Sequence, residues 1–146
     1  MTDTPARPAR LLLVDDDRLI LGTLAQGLRH MGYEVHQAES AEDAEALLSS
    51  GLRPDMALLD VHMPGAGGLW LAQRLREIEH VPFVMLSAYG DASTVAQATR
   101  SGALAYLVKP LALTQIQFAI ETALQRALEI GELRRTREQL QSALDG

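Results

Sequence analysis

Three aspartates in a row, Asp15, Asp16 and Asp17, follow the apolar run LLLV at residues 11–14. Further on, Asp60 ends the apolar part of DMALLDV (55–61), Ser87 ends PFVMLS (82–87), and Lys109 follows ALAYLV (103–108). Adjacent carboxylates repel, and each raises its neighbour's proton affinity unless a cation intervenes. A hard divalent ion removes that conflict. Mg²⁺ takes oxygen ligands in octahedral geometry, keeps several waters and often shares its site with a phosphate. A carboxylate is also a nucleophile toward phosphorus, giving an acyl phosphate. The charge developed there would be met by Mg²⁺ and Lys109, with Ser87 adding a hydrogen bond. Singly, each residue has a plainer use. The triplet could cap a helix, whose N-terminus favours anions. Asp60 could cap the loop after it, Ser87 could bond to backbone, and Lys109 could be a solvated surface lysine. One aspartate suffices for a cap, so it is the joint placement at four strand ends that points to chemistry.

The elements that must carry these residues alternate. Short apolar runs LLLV, YEVHQA (33–38), DMALLDV, PFVMLS and ALAYLV are separated by helical patterns. Ile20, Leu24, Leu28 and Met31 repeat at spacings of four and three, and Gly32 stops that helix. Ser40 reads as an N-cap, with Glu42 and Asp43 in the first turn of a helix carrying Ala44, Leu47 and Leu48, closed by Gly51. Leu69, Ala72, Leu75, Arg76 and Ile78 indicate a third helix, and Val95, Ala98 and Thr99 a fourth, ended by Gly102. Strand–helix alternation gives a parallel, doubly wound α/β sheet of five strands and five helices. Continuous apolar strands suit a sheet covered on both faces, whereas the alternation in YEVHQA suits an edge strand. In such sheets ligands bind beyond the carboxyl ends of the strands. All four strand ends then lie on one side of the sheet.

From Leu111 to Leu144 there is no proline and a single glycine, Gly131. Ile116, Ile120, Ala123, Ala127 and Ile130 share one stripe; Leu133, Arg137, Leu140 and Leu144 continue on a shifted one. That predicts an extended C-terminal helix ending in a short coiled coil with one register break. Three segments follow: a loose lead-in at 1–9, a domain at 10–127, and a helical linker or coiled coil at 128–146, leading to an output domain.

Composition sets bounds. With 146 residues, one domain with a real core is the simplest organisation. The absence of cysteine excludes disulfides, thiolate metal sites and thiol nucleophiles. A net charge of −6 argues against direct nucleic-acid binding by this segment. LLLV is too short for a signal-peptide core or a membrane span, so a cytoplasmic location is expected. The four histidines lack metal-ligand spacing and read as surface residues; Trp70 and Tyr33 read as packing residues. GAGG at 65–68 is not a dinucleotide fingerprint.

LLLVDDD, PDMALLDVHMPG..GL, VPFVMLSAYGD and GALAYLVKPL together closely resemble the receiver domain of bacterial two-component response regulators, over residues 10–127. The resemblance implies a flavodoxin-like (βα)5 fold with strand order 2-1-3-4-5. It implies that Asp60 accepts a phosphoryl group from a sensor histidine kinase or phosphotransfer protein. Asp16, Asp60 and the His62 backbone carbonyl would bind Mg²⁺, with Asp15 acting through water. Lys109 would contact the phosphoryl group, and Ser87 and Tyr106 would be the switch residues. His62 and Tyr89 flank the site and would modulate phosphoryl lifetime. The Lys109–Pro110 bond would be cis. Output would run through helix 4, strand 5 and helix 5, by homodimerisation through helix 5 and the linker. Such linkers lead to nucleotide cyclases, kinases or RNA-binding antitermination domains, and VKPL...AIETAL has a likeness to the last group. The sequence departs from the family in MPGAGGL, where Gly67 replaces an Asp or Asn; a more flexible loop is expected.

Two other classes compete. Asp15-x-Asp17 resembles the nucleophile motif of haloacid-dehalogenase-type phosphatases, in which Asp15 would carry the phosphate. Against it, Leu19 stands where that motif has Thr or Val, and there is no cap domain. The other is a degenerate receiver that only dimerises, against which the intact Asp16, Asp60 and Lys109 argue.

Overall fold

The computed structural model describes residues 8–63, 65 and 67–145. Most of the lead-in, and Pro64 and Ala66 of the MPGAGGL loop, therefore lie outside the described residues. Five parallel strands, β1 (Arg10–Val14), β2 (Glu34–Ala38), β3 (Met56–Asp60), β4 (Phe83–Ser87) and β5 (Ala105–Val108), form one sheet in the order β2-β1-β3-β4-β5. The helices are α1 (Arg18–His30), α2 (Ala41–Ser49), α3 (Gly67–Arg74), α4 (Ala92–Ser101) and α5 (Leu113–Asp145).

Alternation along each strand divides the core in two. Leu11 and Leu13 of β1, Met56 and Leu58 of β3, and Val84 and Leu86 of β4 point to one face. They pack with Leu21, Ala25 and Leu28 of α1 and Ile116, Ile120 and Ala123 of α5. Leu12, Val14, Ala57, Leu59, Phe83 and Met85 point to the other, against Ala41, Ala44 and Leu48 of α2, Leu71 and Ala72 of α3, and Ala98 of α4. Every residue of β3 and β4 is buried. β2 is an edge strand, as its alternation predicts. β5 is the other edge and only half-buried despite its apolar run.

Local chemistry sets the helix ends, at Ser40, Gly32, Gly51 and Gly102 as expected and at Asp91 without forewarning. Ser40 Oγ accepts from Asp43 N, and Asp91 accepts from Thr94 N. Gly32, Gly51 and Gly102 follow α1, α2 and α4 with φ of 104°, 113° and 95°, a conformation that costs a side chain energy.

Several expectations are corrected. The buried face of α1 is Leu21, Ala25 and Leu28, not Ile20, Leu24, Leu28 and Met31, which flank it half-exposed or share it. Apolar residues occupy both adjacent stripes, and docking selects between them. In α4 the buried pair is Thr94 and Ala98 rather than Val95 and Thr99. The third helix is α-helical only to Arg74; Leu75–Glu79 form a π-helical turn that ends at His80 in the left-handed region, φ 55°. The wider turn leaves Ile78 exposed. Trp70 is 40% exposed and so is not a core residue, whereas Tyr33 packs on the α1–α5 side. α5 runs without interruption through Gly131, 33 residues in all. Among the described residues no helix is long and apolar enough to cross a membrane.

Candidate functional site

The aspartate triplet divides its labour. Asp17 is the N-cap of α1: its Oδ1 accepts from Leu19 N at 3.0 Å and Ile20 N at 3.2 Å. The cap reading therefore holds for one of the three. Asp15 is 1% exposed, accepts from Asp17 N at 2.9 Å through Oδ1, and receives Lys109 Nζ at 2.7 Å on Oδ2. Asp16 remains exposed.

Asp60 sits at the end of β3, in the middle of the sheet, with Leu86 of β4 as its register partner. Its Oδ1 accepts from His62 N at 3.1 Å, and its Oδ2 lies 3.5 Å from Lys109 Nζ. Burial pushes the Asp60 carboxyl up to about 6; Asp15 and Asp16 push the same way, while Lys109 and the His62 amide oppose them. Burial alone would lower the Lys109 ammonium, but the hydrogen bond to Asp15 and the attraction of Asp60 and Asp15 outweigh it and raise it. One lysine thus serves two buried carboxylates.

Asp15, Asp16 and Asp60 each offer an oxygen within 4.8 Å of the others. Three carboxylates with one ammonium leave a surplus of negative charge and an all-oxygen donor set. This fits a hard divalent cation such as Mg²⁺, which tolerates carboxylates and water but has little affinity for softer donors.

Close packing fixes the position of Asp60. A Cβ on Gly68, in the first turn of α3, would collide with the Asp60 backbone carbonyl oxygen. Only glycine allows α3 to begin against the end of β3.

The other expected site residues surround this centre. Ser87 is fully buried; its Oγ accepts from Tyr89 N at 3.0 Å, and its carbonyl accepts from Lys109 N at 2.7 Å. Tyr106 of β5 is half-buried, and its hydroxyl donates to the backbone carbonyl of Tyr89. The His62 and Tyr89 rings meet edge to face, with centroids 4.9 Å apart. They join the loop after β3 to the loop after β4. The Lys109–Pro110 bond is cis.

The sequence placed all these residues near the site, but three links were missed: the Tyr106–Tyr89 hydrogen bond, the His62–Tyr89 ring pair, and the Asp91 cap. The first two depend on loop conformation and carry no sequence signal. The third did: Thr94 stands three residues after Asp91, and both its N and Oγ1 donate to that carboxylate.

Five parallel strands in this order, with acidic residues at β1 and β3 facing a lysine after β5, make a flavodoxin-like fold with an acidic site at the carboxyl edge of its sheet. Residues 11–121 match the response regulator receiver domain model, and the chain belongs to that family. It is 37% identical over 134 residues to the transcriptional regulatory protein PdtaR of Mycobacterium tuberculosis, covering 90% of this chain and 65% of that protein. Against the M. tuberculosis transcriptional regulatory protein PrrA it spans 53% of the relative's length. A structure of a response regulator from Chloroflexus aurantiacus superposes with a TM-score of 0.75 at 35% identity, covering 82% of this chain and 99% of that one. A chain carrying the yeast Spc42 trimeric coiled coil as a fusion superposes with a TM-score of 0.78 at 25% identity, covering 94% of this chain and 97% of that one.

Proposed function

We propose that this chain is a phosphorylation switch in which Asp60 accepts a phosphoryl group from a sensor histidine kinase or phosphotransfer protein. The observation that carries the reading is the meeting of Asp15, Asp16 and Asp60 with Lys109 at the carboxyl edge of the sheet. Asp16, Asp60 and the His62 carbonyl would hold Mg²⁺, with Asp15 contributing to the same site. Bound Mg²⁺ supplies positive charge to the carboxylates and to the incoming phosphoryl oxygens. Lys109 contacts a phosphoryl oxygen. Ser87 moves to donate its hydroxyl to the phosphoryl group, which draws Oγ away from the Tyr89 amide, and Tyr106 rotates inward with the same loop. His62 and Tyr89 control access of water to the acyl phosphate. The protein hydrolyses its own acyl phosphate but turns over no separate substrate.

The donor docks beside the site. An apolar cleft of about 370 Å³ lies between α1 and the segment after β5, lined by Leu19, Ile20, Leu24, Lys109, Pro110 and Leu111. Leu19 is 80% exposed at its rim.

Output runs through α4, β5 and α5, with residues 128–146 as a linker that self-associates as a coiled coil. The overlap with the Spc42 fusion supports this, since 94% coverage takes in part of the extension beyond residue 127. The net charge of −6 supports a segment that does not itself hold nucleic acid.

The phosphatase reading loses ground at Asp17, whose carboxylate is turned to the α1 amides rather than the site. The test is incubation with acetyl phosphate and Mg²⁺, followed by intact mass, beside Asp60→Ala. An Mg²⁺-dependent adduct lost in the variant supports the switch. An adduct retained in Asp60→Ala moves the nucleophile to Asp15. No adduct, and no response to beryllofluoride, leaves an interaction module.

A further inference from the structure

We propose that the α5 extension pairs in parallel and in register with the same segment of a second copy of this chain, and that Arg137 keeps that pairing weak. The inference rests on the self-association reading above and adds its orientation, register and limiting residue.

Ile130, Leu133, Arg137, Leu140 and Leu144 recur at spacings of 3-4-3-4, the a and d positions of successive heptads. All lie on the continuous helix α5, and the four apolar members are 44%, 71%, 62% and 83% exposed. At about 100° per residue, this stripe sits roughly a quarter turn from Ile116, Ile120 and Ala123, which dock on the sheet. A second helix can therefore lie along it without displacing α5 from its own domain. The stripe leads upward into an apolar groove between β5 and α5, lined by Ala105, Leu107, Phe118, Ala119, Thr122 and Arg126. Phe118 is 72% exposed there. Four apolar residues per chain bury far less than the roughly 800 Å² per partner of a stable interface. Extension and groove face the same side and act together.

Charge selects the orientation. In a parallel pair the g position of one helix faces the e position of the next heptad on its partner. With Ile130 at a, these are Glu129 and Arg134, so Glu129 meets Arg134 of the partner subunit, and the reverse pair forms by symmetry. An antiparallel pair centred between Leu133 and Arg137 would instead bring the two Arg134 side chains together, like against like.

Parallel pairing has one cost. Arg137 occupies an a position, where it faces its own copy inside the seam. Its stem can pack against Leu133 and Leu140, but two guanidinium groups repel. The extension alone is then insufficient, and pairing depends on what the receiver adds.

The chain has no native cysteine, so one introduced thiol reports the register directly. Leu140→Cys, treated with beryllofluoride and Mg²⁺ and mildly oxidised, should form a disulfide-linked homodimer, whereas Gln139→Cys, facing outward, should not. By sedimentation, Arg137→Ile should self-associate about tenfold more tightly than the original chain without phosphorylation. A mixture of Arg137→Glu with the original chain should favour the mixed dimer over either homodimer. If the original chain dimerises but Leu140→Cys does not cross-link and Arg137→Ile changes nothing, the register is wrong while self-association stands. If every form stays monomeric with beryllofluoride, self-association fails as well, and the seam serves a different protein.

Discussion

Lys109 lies closer to Asp15, at 2.7 Å, than to Asp60, at 3.5 Å, although it serves both. Asp15 and Lys109 are 94 residues apart in sequence, so this pair ties the first strand to the end of the last. Before any metal binds, the lysine does part of a cation's work, and breaking such a buried pair costs more than the pair itself contributes.

Lys109→Met removes that partner. The buried Asp15 carboxylate then keeps only the Asp17 amide, and Asp60 only the His62 amide. A loss of about 2–4 kcal/mol in urea unfolding is expected at neutral pH without metal. Much of it should return with Mg²⁺, which replaces the missing charge. Equal losses with and without Mg²⁺ would mean that Lys109 acts through packing.

The pH dependence of Asp60 follows from its proton affinity. Its folded value is raised from 3.8 to about 6, so the native state binds the proton more tightly than the unfolded chain. Its contribution therefore makes the folded state less stable as pH rises from about 4 through 6. Asp60→Asn should gain stability at pH 7, on the order of 2 kcal/mol, with the advantage fading below about pH 4. Paired melting curves without metal measure this. Mg²⁺ should reverse the ranking above pH 6, because it binds the ionised carboxylate.

Gly68→Ala places a methyl group on the Asp60 carbonyl, which is backbone and cannot swing aside. Either α3 retreats or the end of β3 bends. A stability loss of about 2 kcal/mol or more is expected, with weaker Mg²⁺ binding because Asp60 moves. Trp70, the sole tryptophan, lies two residues further along α3 and is part-exposed, so its fluorescence can follow both. Unchanged Mg²⁺ affinity would show that α3 gives way and the carboxylate does not.

Asp17→Ala and Asp15→Ala should separate two uses of the same triplet. The first loses a helix cap, about 1 kcal/mol, with Mg²⁺ binding retained. The second leaves Lys109 without its nearest carboxylate and should weaken Mg²⁺ binding as well. Isothermal titration with MgCl₂ beside urea unfolding distinguishes them; loss of binding in Asp17→Ala would overturn this division.

Legibility in the sequence followed the kind of signal. Asp15, Asp16, Asp60, Ser87 and Lys109 could be placed together because strand ends in a parallel sheet share one edge, whatever the loops do. The doubly wound architecture followed from alternation, and Gly32, Gly51 and Gly102 marked helix ends by backbone need. The face of α1 could not be chosen, because Ile20 adjoins Leu21 and Leu24 adjoins Ala25, which offers two apolar stripes. The π-helical turn after Arg74 has no composition signal of its own. The contacts of Tyr89 with Ser87, His62 and Tyr106 arise from loop geometry that residue types do not encode.

The uninterrupted helix α5 has a mechanical consequence. At 1.5 Å per residue, the 18 residues from 128 onward span about 27 Å, leaving the domain past Arg134, which still lines a pocket with Arg76 and His80. A tilt of about 10° where α5 rests on β4 and α1 would swing the far end by about 5 Å, close to one helical pitch. Small rearrangements at the sheet edge are thereby magnified with leverage, provided the arm stays stiff. Gly131, the least helix-favouring residue in it, sits near the fulcrum and is where bending would dissipate the stroke.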